Sequence, residues 1–164
     1  MYYINTFFLF SIIGHAIESI FYAIGSGESG FLYGFWTPIY GFGTCLIIGC
    51  YEMLKSKLTK QKGKQTLIIF LLGFFGLSFM EFIGGILIEK IFGKVFWDYS
   101  NFPLKIGHYI AVEMAFIWGI ASVFLIFFIK PISDKIIKKI PRFISWILLI
   151  LFIIDLIVTI YIKC

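Results

Sequence analysis

From Ile144 to Ile162 the chain carries a single charge, Asp155, and from Thr66 to Ile88 a single charge, Glu81. Apolar runs of that length leave few folds open. The hydrocarbon core of a bilayer is about 30 Å thick, and a helix crosses it with roughly 20 mostly apolar residues. Inside lipid every backbone N–H and C=O needs a partner within the protein, and a single segment meets that demand as an α-helix. Three further stretches follow the same rule with more interruptions. The expected spans are about 4–24, 36–54, 66–91, 106–130 and 141–163. The first is the most broken, by Asn5, Thr6, His15 and Glu18. The expectation is an all-α membrane protein with five transmembrane helices forming one polytopic domain over residues 1–164.

Composition agrees. The chain is 60% hydrophobic and 14% charged, whereas a soluble domain is about a quarter charged. The connections between spans are too short for a soluble catalytic or nucleotide-binding domain. The first span has no basic leader and no small-residue cleavage site, so it is expected to remain as a helix and not to be removed as a signal peptide. Cys45, Cys50 and Cys164 have no metal-binding or redox spacing and read as small packing residues. Neither a cofactor nor a metal is called for.

The net charge of +5 is distributed as a topology signal. Lys55, Lys57, Lys60, Lys62 and Lys64 lie between the second and third spans, and Lys130, Lys135, Lys138, Lys139 and Arg142 between the fourth and fifth. Lys90, Lys94, Lys105 and Lys163 fall on the opposite side. The positive-inside rule then puts both basic loops in the cytoplasm, the N-terminus inside and the C-terminus outside. The partner is the lipid bilayer of the plasma membrane, crossed several times; nucleic acid is not expected.

The connections have their own patterns. The first outer one is glycine-rich, with Gly25, Gly27, Gly30 and Gly34, and Thr37-Pro38 marks the start of the next helix. The second outer one is aromatic, from Phe96 through Trp97, Asp98, Tyr99 and Phe102. It reads either as an interfacial belt or as a lid in which Asp98 caps or ligates. Between Pro131 and Pro141, Ile132, Ile136, Ile137 and Ile140 recur at helical spacing opposite Lys135, Lys138 and Lys139. That predicts a short helix lying on the inner leaflet. A faint repeat places Glu18 before Phe35-Trp36 and Glu81 before Phe96-Trp97.

The intramembrane acids carry the functional reading. Glu18, Glu81, Glu113 and Asp155 each fall within an expected span. A charge there costs about 2.5–3.5 kcal/mol on insertion scales and normally faces the protein interior. Counted from the outer helix ends, all four lie roughly 9–12 Å deep at 1.5 Å per residue. The inference is an acidic polar cavity in the outer half of the bilayer. His15 and Glu18 share a helix face with Ser11, Gly14 and Tyr22. Gly73, Gly76 and Gly84 share another, with Glu81 at its edge, which suits a close helix contact. Asp155 with Thr159 reads more simply as a hydrogen-bonded tie. His15-x-x-Glu18 lacks the two-histidine spacing of the helical zinc proteases. The chain contains no phosphate loop and no nucleophile elbow, so if ATP is used a separate ATPase subunit hydrolyses it.

The run Gly30-Phe31-Leu32-Tyr33-Gly34 leading to Pro38-Ile39-Tyr40-Gly41-Phe42-Gly43 resembles the first signature of the ABC-transporter type IV family, often called CmpB-like. The second signature is matched from Glu81 through Glu89-Lys90-Ile91-Phe92-Gly93 to Trp97-Asp98-Tyr99-Ser100, and Trp118-Gly119 follows in the next helix. The likeness extends from Ile13 to Pro131. It implies a permease-like transport component and marks Glu18, Glu81, Glu89, Trp97, Asp98 and Tyr99 as important positions without roles. Lys105-Ile106-Gly107-His108 departs from the Asn- and Arg-containing segment of the family pattern.

Three functions stay open at this level. The first is a transport component, alone or as a homo-oligomer, with His15, Glu18, Glu81 and Glu113 along a path for substrate or ions. The second is an intramembrane enzyme acting on a lipid-linked substrate. The third is a non-catalytic partner or regulator.

Overall fold

The computed structural model describes residues 1–24, 32–57, 61–93 and 95–163, with backbone alone for 21–24. The glycine-rich stretch 25–31, the Tyr22 side chain, Lys60, Lys94 and Cys164 lie outside the described residues. The fold is helical: α1 is Tyr2–Ile24, α2 Pro38–Leu54, α3 Lys62–Phe92, α4 Val112–Ile137 and α5 Arg142–Lys163. A two-stranded hairpin, β1 (Lys105–Ile106) and β2 (Ile110–Ala111), lies between α3 and α4.

Among the described residues four segments are long and apolar enough to cross a membrane: Tyr2–Ile20, Lys62–Phe92, Val112–Ile137 and Arg142–Lys163. Helix α2 is apolar but has 17 residues, or about 25 Å of rise. The chain is a multi-pass membrane protein.

Two boundaries differ from the sequence expectation, each for a local reason. The fourth helix starts at Val112 and not near 106, because Gly107 adopts a left-handed φ of 66° and turns the chain back on itself. Lys105 then pairs with Ala111 and Ile106 with Ile110, and the Val112 N–H donates to the Leu104 carbonyl at 2.8 Å. The second correction concerns the separate surface helix over 131–141. Helix α4 instead continues through Pro131 to Ile137. Proline lacks an N–H, and its ring crowds the carbonyl four residues back. A π turn over Leu125–Ile129 widens the helix there and relieves the clash.

Helix α3 also contains a π turn, Leu72–Leu77, and ends at Gly93, where a left-handed φ of 63° lets its N–H close on the Glu89 carbonyl. Such a C-cap is a site where glycine carries no Cβ penalty.

The chain divides into two compact units, Met1–Cys45 with Ile132–Cys164, and Leu46–Pro131. In the first, Phe8, Leu32 and Trp36 form a buried cluster against Phe7, Leu148, Leu149 and Phe152. The Phe152 ring lies edge-on to Phe7, Phe8 and Trp36. Polar ties join the same elements: Ser145 Oγ donates to Asn5 Oδ1 at 2.5 Å and Tyr2 Oη to Asp134 Oδ1 at 2.6 Å. Gly14 packs directly on the Tyr40 ring and Gly41 on Ser11 and the Phe7 backbone.

In the second unit α3 packs on α4. Lipid tails are as apolar as leucine, so helices in a membrane associate through close packing and hydrogen bonds. Gly73 meets the Ser122 side chain and the Trp118 carbonyl, and Gly119 meets the Phe70 ring. Phe70 and Phe74 both touch Phe116. At the far end from the hairpin, Glu52 pairs with Lys55 and, at 3.2 Å, with Lys130.

The backbone oxygen beside Gly73 cannot move aside for a methyl group. Gly73→Ala is therefore expected to destabilise the protein by about 1–3 kcal/mol, whereas Gly63→Ala, with open space around it, leaves stability unchanged or slightly raised. Thermal unfolding of the two variants in detergent checks the contrast.

Candidate functional site

Three residues of α3 stand one turn apart on one face: Glu81, Gly85 and Glu89. Spacing of four in a helix stacks side chains along a single stripe. The segment 95–111 docks on that stripe. Tyr99 Oη donates to Glu81 Oε1 at 2.9 Å, and Trp118 Nε1, from α4, donates to Glu81 Oε2 at 2.8 Å. Gly85 leaves room for the Tyr109 ring, whose hydroxyl reaches Glu89 Oε2 at 2.7 Å.

Glu81 is 6% exposed, and its two hydrogen-bond donors are neutral. Among the described residues no ammonium, guanidinium or imidazole pairs with Glu81, Glu89 or Glu113. Glu113 stands at the second position of α4. Its Oε1 accepts from the Leu104 N–H at 3.3 Å, and a carboxylate in the first turn complements the positive end of the helix dipole. With α4 starting at Val112, Glu113 lies at a helix end, nearer the surface than a span beginning at 106 predicts. Glu113 Oε2, Trp97 Nε1 and Ser122 Oγ are buried polar atoms without a hydrogen-bond partner among the described residues.

The loop itself is clasped by short-range bonds. The Ser100 N–H donates to Asp98 Oδ1 at 2.8 Å, Ser100 Oγ lies 2.8 Å from His108 Nδ1, and Asp98 Oδ1 lies 3.5 Å from the same nitrogen. These bonds, those from Ser100 first, hold the Asp98 carboxyl below its ordinary range. Asp98 thus caps a turn. Serine and aspartate both address Nδ1, whereas a nucleophilic triad needs them on opposite ring nitrogens, so the cluster is a structural clasp. Lys105 Nζ adds a bond to the Ser100 carbonyl.

In the first unit Glu18 accepts from Thr37 Oγ1 at 3.2 Å and from the Tyr40 side chain, with His15 in its electrostatic field. Asp155 gathers donors from two elements. It accepts from the Tyr33 and Gly34 N–H groups at 3.1 and 2.9 Å, from Trp36 Nε1 at 2.6 Å and from Thr159 at 3.3 Å. It ties the 33–36 turn to α5. Among the described residues no group of three or more metal-ligating side chains forms a metal site.

A family model described as "Putative ABC-transporter type IV" matches residues 5–160. The chain belongs to that family. No curated protein and no solved structure matches it. Within this ABC-transporter type IV chain the family-like motif residues Glu81, Glu89 and Tyr99 are brought together in the second unit, and Asp98 shapes the turn that carries Tyr99. Glu18 sits in the first unit with its own partners.

Reading the sequence missed the donors. Trp36, Trp118 and Tyr109 are the groups that hold Asp155, Glu81 and Glu89. Trp118-Gly119 stood out only as a motif match, although an indole N–H inside a membrane helix needs an acceptor and the intramembrane acids were the obvious supply.

The bond to Glu89 pushes the Tyr109 phenol up to about 12, against an ordinary value of about 10. A raised value in the folded state means the bond stabilises fully below pH about 10 and is lost as pH climbs through about 12. Glu89→Gln is expected to bring the Tyr109 midpoint down by at least about one unit. Tyrosine-ring NMR with the Tyr109 signal assigned by Tyr109→Phe measures it.

Proposed function

We propose that this protein is the membrane-embedded, non-catalytic component of a transporter, with an acidic polar cavity in the outer half of the bilayer, driven by a separate ATPase subunit. One observation carries the reading: Glu81 is buried in a helix of membrane-spanning length and, among the described residues, is hydrogen-bonded only by neutral donors. A carboxyl so placed either carries a proton or meets a cation, and both are things a transporter moves or uses. The unpartnered Trp97 Nε1 and Glu113 Oε2 add a donor and an acceptor to the same unit. In the first unit Glu18, beside His15, is the corresponding candidate.

Helix α2 crosses as the fifth span in this reading, its 17 residues accommodated by local thinning of the bilayer. The N-terminus then lies in the cytoplasm, the C-terminus outside, and the chain resides in the plasma membrane. Assembly of several copies belongs to the same proposal, because five helices are few for a complete pathway.

Two experiments test it. In Glu81→Gln the amide still accepts one bond and can donate to the Tyr99 oxygen, so insertion and melting temperature are expected to persist. ATP-driven proton or monovalent-cation flux in vesicles, followed with a pH-sensitive dye, is expected to fall to background when the chain is reconstituted with its co-purifying ATPase. Flux equal to wild type in both Glu81→Gln and Glu18→Gln, or no ATPase activity co-purifying with the chain, removes the proposal. For topology, reporters fused to the two termini are expected to respond on opposite faces; reporters on one face leave four spans.

A further inference from the structure

The corner between α4 and α5 carries a feature that the transport reading does not use. A groove of about 390 Å³ is lined by Lys135, Ile136, Lys139, Ile140, Pro141 and Ile144. Its walls are isoleucine and proline, and its rim holds two lysines one helical turn apart. Lys138 and Arg142 flank it, and all four basic residues are exposed. Among the described residues no carboxylate forms an ion pair with any of them. Asp134, the neighbouring acid, accepts a hydrogen bond from Tyr2.

Apolar walls under an uncompensated basic rim ask for a ligand with both properties. The groove also runs straight into α5, the most apolar helix, whose first turns expose Phe143, Ile144 and Trp146. An exposed tryptophan one turn into such a helix sits at headgroup level, and lysine stems lie along apolar surface while their ammonium groups reach towards phosphate. We propose that this groove is a binding site for an anionic glycerophospholipid. The lipid's phosphate is held between Lys135 and Lys139, and an acyl chain lies along Ile136, Ile140 and Ile144. A soluble phosphate would leave the apolar wall uncovered, and a zwitterionic lipid would leave the lysine charge uncompensated.

Native mass spectrometry of the delipidated, detergent-solubilised full chain, titrated with phosphatidylglycerol or phosphatidylcholine, tests it. The expected result is preferential retention of phosphatidylglycerol. The double variant Lys135→Gln/Lys139→Gln should weaken that retention about fivefold for each lysine neutralised, and Lys57→Gln/Lys64→Gln, equal in charge lost, should leave it unchanged. Ile136→Asn, at an exposed position, should also weaken retention while the melting temperature in detergent stays at the wild-type value. Equal retention of the two lipids overturns the proposal, as does an equal loss in the two lysine double variants. Displacement of the lipid by glycerol 3-phosphate at matching concentration would make the groove a plain phosphate site. A change of subunit stoichiometry in Lys135→Gln/Lys139→Gln, with lipid retention unaltered, would make it a contact between copies. Either result discards the lipid assignment.

Discussion

A carboxylate inside a hydrocarbon-spanning helix dictates its surroundings, because lipid offers nothing to fill its acceptor positions. In this protein the demand is met by aromatic side chains that each carry one polar hydrogen. Tyrosine and tryptophan bring a large apolar body that suits the membrane and a single donor at its tip. Tyr99 and Trp118 serve Glu81, Tyr109 serves Glu89 and Trp36 serves Asp155. Four of the chain's nine tyrosines and four tryptophans taken together thus have a polar purpose as well as an apolar one.

Rings of that size need room, and glycine provides it. Gly85 lies under the Tyr109 ring and Gly34 against the Trp36 indole. A methyl group at either position would push the donor away from its carboxylate, so small residues act here through hydrogen bonding as much as through helix contact. The loop between α3 and α4 follows from the same arrangement. Its Asp98 turn and its hairpin at Gly107 present Tyr99 and Tyr109 to acids two helical turns apart on α3, so the loop is tied to the helix through those two carboxyl groups.

Hydropathy made the helices legible, since few folds accept such long apolar runs. Their ends were less so. The segment from Leu104 to Val112 is apolar enough to pass for helix, and only the left-handed Gly107 diverts it into a hairpin. Pro131 looked like a helix start because the π turn that lets α4 absorb it leaves no trace in periodicity. The π turn at Leu72–Leu77 had the same effect on the glycine face. An extra residue rotates everything beyond it by about 100°, so Gly85 is buried against the Tyr109 ring while Gly84 is only half-buried. The acids themselves were visible, being conspicuous in lipid. Their donors were not, because Tyr99 and Trp118 lie 18 and 37 residues from Glu81 and spacing within one helix says nothing about them.

Within the second unit acids are treated in two different ways. Glu52 meets cations, Lys55 and Lys130, so its charge is balanced inside the protein. Glu81, Glu89 and Glu113 have no such partner among the described residues and are held by hydroxyl, indole and amide donors instead. Hydrogen bonds of that kind fix the position of a carboxyl without supplying the opposite charge. A helix pair built only for stability would gain by replacing these acids with apolar residues, since an unpaired intramembrane charge is costly. Keeping acids positioned by neutral donors and without an opposite charge is the physical contrast, with Glu52 on the other side of it, on which the proposed transport reading rests.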